Sequence, residues 1–189
     1  MSPNFQLDLT EATKQMYWWE EKVTIIKHWL GMRPFLFTLG NHDFLNGFWL
    51  EGMLQSHGIN AKCLHDQIHT HEGVNFYGFP YVPPINGVWA FESTTDQMAT
   101  HLDTMSQFLN STYVDVIAAH CPPYGFLDLA RTNHRWGNTQ MNGFLDYTLQ
   151  REMVPAYFLC GHIHEAHGLM MRGDMLISNA ALTHHVLEI

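Results

Sequence analysis

Paired thiols, excess positive charge and long apolar runs are all missing from this sequence. Its three cysteines, Cys63, Cys121 and Cys160, are odd in number and contain no Cys-x-x-Cys spacing. That suggests neither a disulfide framework nor a thiolate zinc site, and suits a reducing, cytoplasmic setting. Lysine and arginine number 9 against 18 acidic residues, a formal net charge of −9. A surface built to grip long stretches of nucleic-acid backbone needs the opposite sign, so nucleic acid is not indicated, while a small or locally held phosphate ester stays open. No stretch approaches the ~18 uninterrupted apolar residues of a membrane span, and Met1-Ser2-Pro3-Asn4 lacks the basic-then-apolar pattern of a signal peptide. Repeats, low-complexity tracts and linkers are absent too.

What is present is a core. With 46% hydrophobic and 13% aromatic residues, the 189-residue chain suits one packed domain over residues 1–189 and excludes disorder. Met16, Trp19, Val23, Ile26 and Leu30 recur at helical spacing, predicting a first helix from Thr10 to Leu30 that Gly31 ends. Asp8 and Glu11 have the offset of a capping box, making Asp8 its candidate N-cap. A strand is expected over Pro34–Leu39, then a short helix from Asn46 to His57. One or two strands follow between Cys63 and His71, and another over Val74–Phe79. Residues Tyr81–Gly87 form a loop, because two prolines and a glycine interrupt any regular element. Thr94–Leu109 is a helix whose Met98, Leu102, Met105 and Leu109 stripe reads as core. Tyr113–Ala119 is a strand, Phe126–Asn138 a long loop, Thr139–Met153 a helix and Ala156–Cys160 a strand. Leu169-Met170-Met171, Met175 to Ser178 and His185 to Glu188 are expected as closing antiparallel strands around the Arg172-Gly173-Asp174 turn.

Polar ligand types gather where these strands stop. Gly40-Asn41-His42-Asp43 follows the Pro34–Leu39 strand, His120 the Tyr113–Ala119 strand, and Gly161-His162-Ile163-His164-Glu165 the Ala156–Cys160 strand. A lone His-x-His is a weak signal in a chain with 14 histidines, and in extended backbone its two rings would point apart. In a turn past a strand both can reach one cluster. Three strand ends carrying imidazole and amide donors, without thiolates, suit Mn²⁺, Fe²⁺ or Zn²⁺ rather than Ca²⁺. Cys121 adjoins His120 but has no partner of the kind a nucleophilic thiol requires.

At these residues the chain resembles the calcineurin-like metallophosphoesterases, whose later motifs are Gly-Asn-His-Asp/Glu, a lone strand-end His and Gly-His-x-His. All three occur in order. The likeness is greater to the class III cyclic nucleotide phosphodiesterase-like branch, through Asn75-Phe76-Tyr77-Gly78-Phe79-Pro80, Trp89-Ala90-Phe91, His120 to Gly125 with Leu127-Asp128, and Gly161 to Glu165; it spans roughly residues 35 to 181. The resemblance implies an α/β fold of mixed sheets flanked by helices, lacking that fold's first strands. It implies two divalent ions, with Asn41, His120 and His162 on one and His164 on the other. His42 would face the phosphoryl group as the catalytic residue, with Asp43 orienting it. A metal-activated hydroxide would then hydrolyse a phosphodiester or phosphomonoester, nucleotides among the candidates.

The family also expects Asp-x-His and Gly-Asp strand ends before Gly-Asn-His, and neither occurs in the 40 residues ahead of Asn41. Asp8 lies at a workable distance for the bridging aspartate, but Leu7 replaces the glycine and the N-cap reading competes. Two expectations follow: a truncated or split portion of a longer phosphoesterase, or a divergent form holding a single ion. The corresponding alternative function is a non-catalytic or single-metal binding module.

Overall fold

The computed structural model describes residues 9–150 and 154–189. Asp8, and with it the proposed N-cap, lies outside the described residues, as do the last three residues of the predicted Thr139–Met153 helix.

The chain opens with α1 (Leu9–Leu30), β1 (Phe35–Phe37), α2 (Gly47–Ser56) and β2 (Ala61–Cys63). The stripe predicted for α1 does face inward, with Val23 buried and Trp19, Ile26 and Leu30 packed partly buried around it. β1 and β2 pair in parallel as a separate two-stranded sheet. Asn46 caps α2, its Oδ1 accepting from the Phe48 and Trp49 amides. Together these four elements enclose one apolar cluster around Leu39, Leu50, Leu54 and Cys63.

The remainder builds a six-stranded mixed sheet in the order β3-β4-β5-β6-β8-β7, from β3 (Ile68–His71), β4 (Val74–Phe79), β5 (Val116–Ala119), β6 (Tyr157–Cys160), β7 (Gly168–Arg172) and β8 (Met175–Asn179). β4, β5, β6 and β8 run parallel, and β3 and β7 are antiparallel edges. Helices α3 (Thr95–Ser111) and α4 (Thr139–Gln150) cover the face carrying Tyr77, Phe79, Ile117, Phe158 and Ile177. Thr94 closes a capping box with Gln97, which fixes where α3 starts. The methionine stripe is core: Met98 and Met105 are buried with Leu102 and Leu109.

Two expected strands differ. Regular pairing begins only at Val116, not Tyr113: the Asp115 amide makes a backbone bond to β4, to the Asn75 carbonyl at 3.0 Å, while the Tyr113 carbonyl is taken by the Asn75 side chain, whose Nδ2 donates to it at 2.8 Å. The segment His185–Glu188 is not a strand. Both neighbours of β8 are taken, by β6 and β7, so no ladder is left there for a third partner.

Candidate active site

The turn after β1 is closed twice. The Asp43 amide donates to the Gly40 carbonyl at 2.9 Å, and the Gly40 amide donates to Asp43 Oδ2 at 2.7 Å. Asp43 thus closes the turn that carries His42. Burial raises its carboxyl group, against the Gly40 amide and the His42 ring, which both lower it. Gln15 of α1 grips the same turn from outside, donating to the His42 carbonyl at 2.7 Å and accepting from the Phe44 amide at 2.9 Å. The Ala90 amide donates to the Asn41 carbonyl at 3.0 Å, and the Trp89 ring stands 4.4 Å from the His42 ring. Asn41 is thereby buried at 3% exposure.

Gly40 has a steric reason to be glycine. A Cβ there would stand 2.2 Å from His120 Nδ1 and 2.3 Å from its Cε1, so the imidazole lies directly on the turn. His120 follows β5, and its Nε2 is 2.8 Å from Asn41 Oδ1. One hydrogen bond thus joins the ends of strands from two different sheets.

His162 stands beside them, its ring centroid 4.9 Å from that of His120. Its φ of +69° is a left-handed conformation, which costs a residue with a Cβ about 1–3 kcal/mol and persists only where the surroundings impose it. Two features do so. The Gly161 amide donates to the His120 carbonyl at 3.0 Å, and fully buried Asn179, at the end of β8, donates from Nδ2 to the Ile163 and Leu127 carbonyls at 2.9 and 3.0 Å. His164 then begins a short 3-10 turn, His164–Ala166.

Burial and neighbouring charge act on the two inner imidazoles in the same direction. His120 is pushed down to about 3, first by burial and then by the charges that His162, His42 and His164 can carry. His162 is pushed down to about 4, by burial and then by His42 and His164. Both rings are therefore neutral at physiological pH. Since the unfolded chain binds protons near 6.5 and the folded chain only near 3 to 4, stability falls as pH drops below about 6.5. The metal-free protein is expected to lose melting temperature steadily from pH 7 toward pH 4.5. In His120→Asn, which removes one titrating ring, the fall should be shallower; equal slopes in scanning calorimetry would contradict the assignment.

The cluster unites Asn41, His120 and His162 and keeps His42 and His164 in electrostatic range. Among the described residues, no three of His, Cys, Asp and Glu form a group ready to hold an ion. Cys121 is fully buried, and burial and the nearby Cys160 push its thiol well up, the opposite of an activated nucleophile. Three supporting residues escaped sequence reading. Gln15 sits in a helix that periodicity describes only as packing, and Asn179 ends a strand in an apolar run. Glu92 accepts from the Ile85, Asn86, Gly87 and Trp89 amides, organising the loop that carries Trp89. For Asn179, a polar residue closing an apolar strand was the available signal.

The profile of the calcineurin-like phosphoesterases matches residues 8–166. The chain belongs to that family. It is 32% identical over 130 residues to metallophosphoesterase domain-containing protein 1 of Homo sapiens, covering 68% of this chain and 37% of that protein. It is 34% identical over 122 residues to a UPF0046 protein of Caenorhabditis elegans, covering 65% of this chain and 38% of that one. This chain thus spans little more than a third of the length of these relatives. A solved crystal structure shares the fold with a TM-score of 0.62 at 16% identity, covering 90% of this chain and 66% of that one.

Proposed function

We propose that this chain carries the metal-binding half of a phosphoesterase site that hydrolyses a small phosphate ester, nucleotides among its candidates. The observation that carries the reading is the meeting of Asn41 Oδ1 and His120 Nε2 at 2.8 Å across two sheets, beside His162. Two ligand atoms ~2.1 Å from a shared divalent ion stand roughly 3 Å apart, so the spacing fits. The imidazoles are held neutral by burial, as ligation requires. Asn41, His120 and His162 would hold one ion and His164 a second. The ions would supply a hydroxide nucleophile and a clamp on phosphate oxygens. His42, on the same turn and packed on Trp89, faces the phosphoryl group as acid or charge stabiliser.

A second reading is a single-ion binding module, supported by the lack of Asp-x-His and Gly-Asp in the 40 residues ahead of Asn41. Stoichiometry separates the two: about two Mn²⁺ per complete site, with the Asp-x-His and Gly-Asp ends supplied, supports the hydrolase, and one supports the module. In either case Mn²⁺ should raise the melting temperature of the wild-type chain, by several degrees at 100-fold excess over Kd. His162→Ala should abolish most of that gain. A melting temperature unmoved across a Mn²⁺ titration would refute the site.

A further inference from the structure

Beside the histidine cluster runs the ribbon of residues 122–138, and it is rigidly built. Asp128 is fully buried. Its Oδ2 accepts from the Gly125 and Gly137 amides at 2.9 and 3.3 Å, and its Oδ1 is paired with the Arg135 guanidinium. Within the ribbon, the Trp136 amide donates to the Asp128 carbonyl at 3.1 Å and the Ala130 amide to the His134 carbonyl at 2.9 Å. The ribbon is fastened to both histidine-bearing strand ends. Near His120, the Asn138 amide donates to the Pro122 carbonyl at 2.8 Å, and the Cys121 thiol lies 3.6 Å from the Trp136 carbonyl. Near His162, Asn179 holds Leu127 and Ile163 together.

Between this ribbon and Pro83, on the loop after β4, lies an open cleft of about 650 Å³. Its walls are the rings of Tyr124 and Trp136, 42% and 43% exposed, with Leu129 and His134. His134 meets the Trp136 ring edge-on at 4.5 Å and braces its plane. Neither the phosphate chemistry nor the histidine cluster uses these rings. A second phosphate is a poor occupant, because the guanidinium on this wall is already neutralised by Asp128. Two exposed aromatic side chains lining an open cleft instead suit a flat ring, which can stack on them.

We infer that the Tyr124–Trp136 cleft binds a planar aromatic ring carried by the phosphate ester, so that these two residues select aryl and heteroaryl esters over alkyl ones. The inference rests on the phosphoesterase reading above for where the phosphate lies, and on the cleft alone for the ring.

The test uses the whole chain with Mn²⁺. The indole ¹⁵N–H signal of Trp136 is identified by its loss in Trp136→Phe, and 4-nitrophenol, phenyl phosphate and methyl phosphate are titrated in turn, with affinities from calorimetry. The first two should shift the Trp136 signal and methyl phosphate should not. Phenyl phosphate should bind about tenfold more tightly than methyl phosphate, the scale of one stacked ring. Trp136→Ala should bring that ratio to about one, and Trp136→Phe should keep most of it. A Trp136 signal unmoved by both aromatic probes, or a ratio that survives Trp136→Ala, overturns the inference. A signal moved by 4-nitrophenol while neither phosphate binds supports the ring site and overturns the metal reading, so the two failures are distinguishable.

Discussion

Gly40→Ala is expected to remove the Mn²⁺-dependent gain in melting temperature altogether. The added Cβ would lie 2.2 to 2.5 Å from three atoms of the His120 ring, closer than any contact that thermal motion can absorb. The ring cannot retreat cheaply, since its Nε2 is bonded to buried Asn41 and the backbone carbonyl behind it accepts from Gly161. Overpacking of this kind costs about 1–3 kcal/mol, so the variant should still fold, with a lower melting temperature in the absence of metal. What it should lose is the alignment of Asn41 with His120. Gly52→Ala is a suitable control, because a Cβ there meets nothing within 4 Å and α2 gains helix propensity. A Gly40→Ala protein that melts like the wild type and responds equally to Mn²⁺ would show that this imidazole is no ligand.

The sequence made the ends of the strands legible more readily than their extents. Short apolar runs, two of them stopped by glycine and one running directly into a histidine and two prolines, located Asn41, His162 and His120 as strand ends. The structure brings those three side chains together. It also shows why the runs overstate the strands. Tyr113 and Val114 are β-favouring, yet the Tyr113 carbonyl is engaged by the Asn75 side chain, and no local pattern reports such a distant partner. The division of the strands into two sheets was equally invisible, since alternation in Phe35–Phe37 says nothing about which strand it pairs with. The supporting bonds of Gln15, Glu92, Asp128 and Asn179 each join residues to backbone groups elsewhere in the fold. Side chain to backbone bonds leave no periodic trace. His162's left-handed φ belongs to the same class: Gly161 beside it advertises a turn, but only the packed structure assigns the strain to the histidine.

The largest effect on turnover should come from His42. Measuring it calls for a protein that also carries the Asp-x-His and Gly-Asp strand ends implied by the family resemblance, since the 189-residue chain alone is expected to hydrolyse bis-p-nitrophenyl phosphate weakly or not at all. With such strand ends supplied, turnover should rise by several orders of magnitude. In that protein His42→Ala should then lower kcat by about 10²- to 10⁴-fold, the range of a positioned general acid. Mn²⁺ binding should be unchanged, because His42 meets Trp89 at 4.4 Å and is held by its backbone to Gln15, whereas the proposed ligands Asn41 and His120 meet each other instead. Loss of Mn²⁺ in His42→Ala would instead make the residue a ligand. Asp8 supplies the opposing outcome. The family match begins at residue 8, so strong turnover by the unaided chain, abolished in Asp8→Ala, would make Asp8 the bridging carboxylate and the site complete without any further segment.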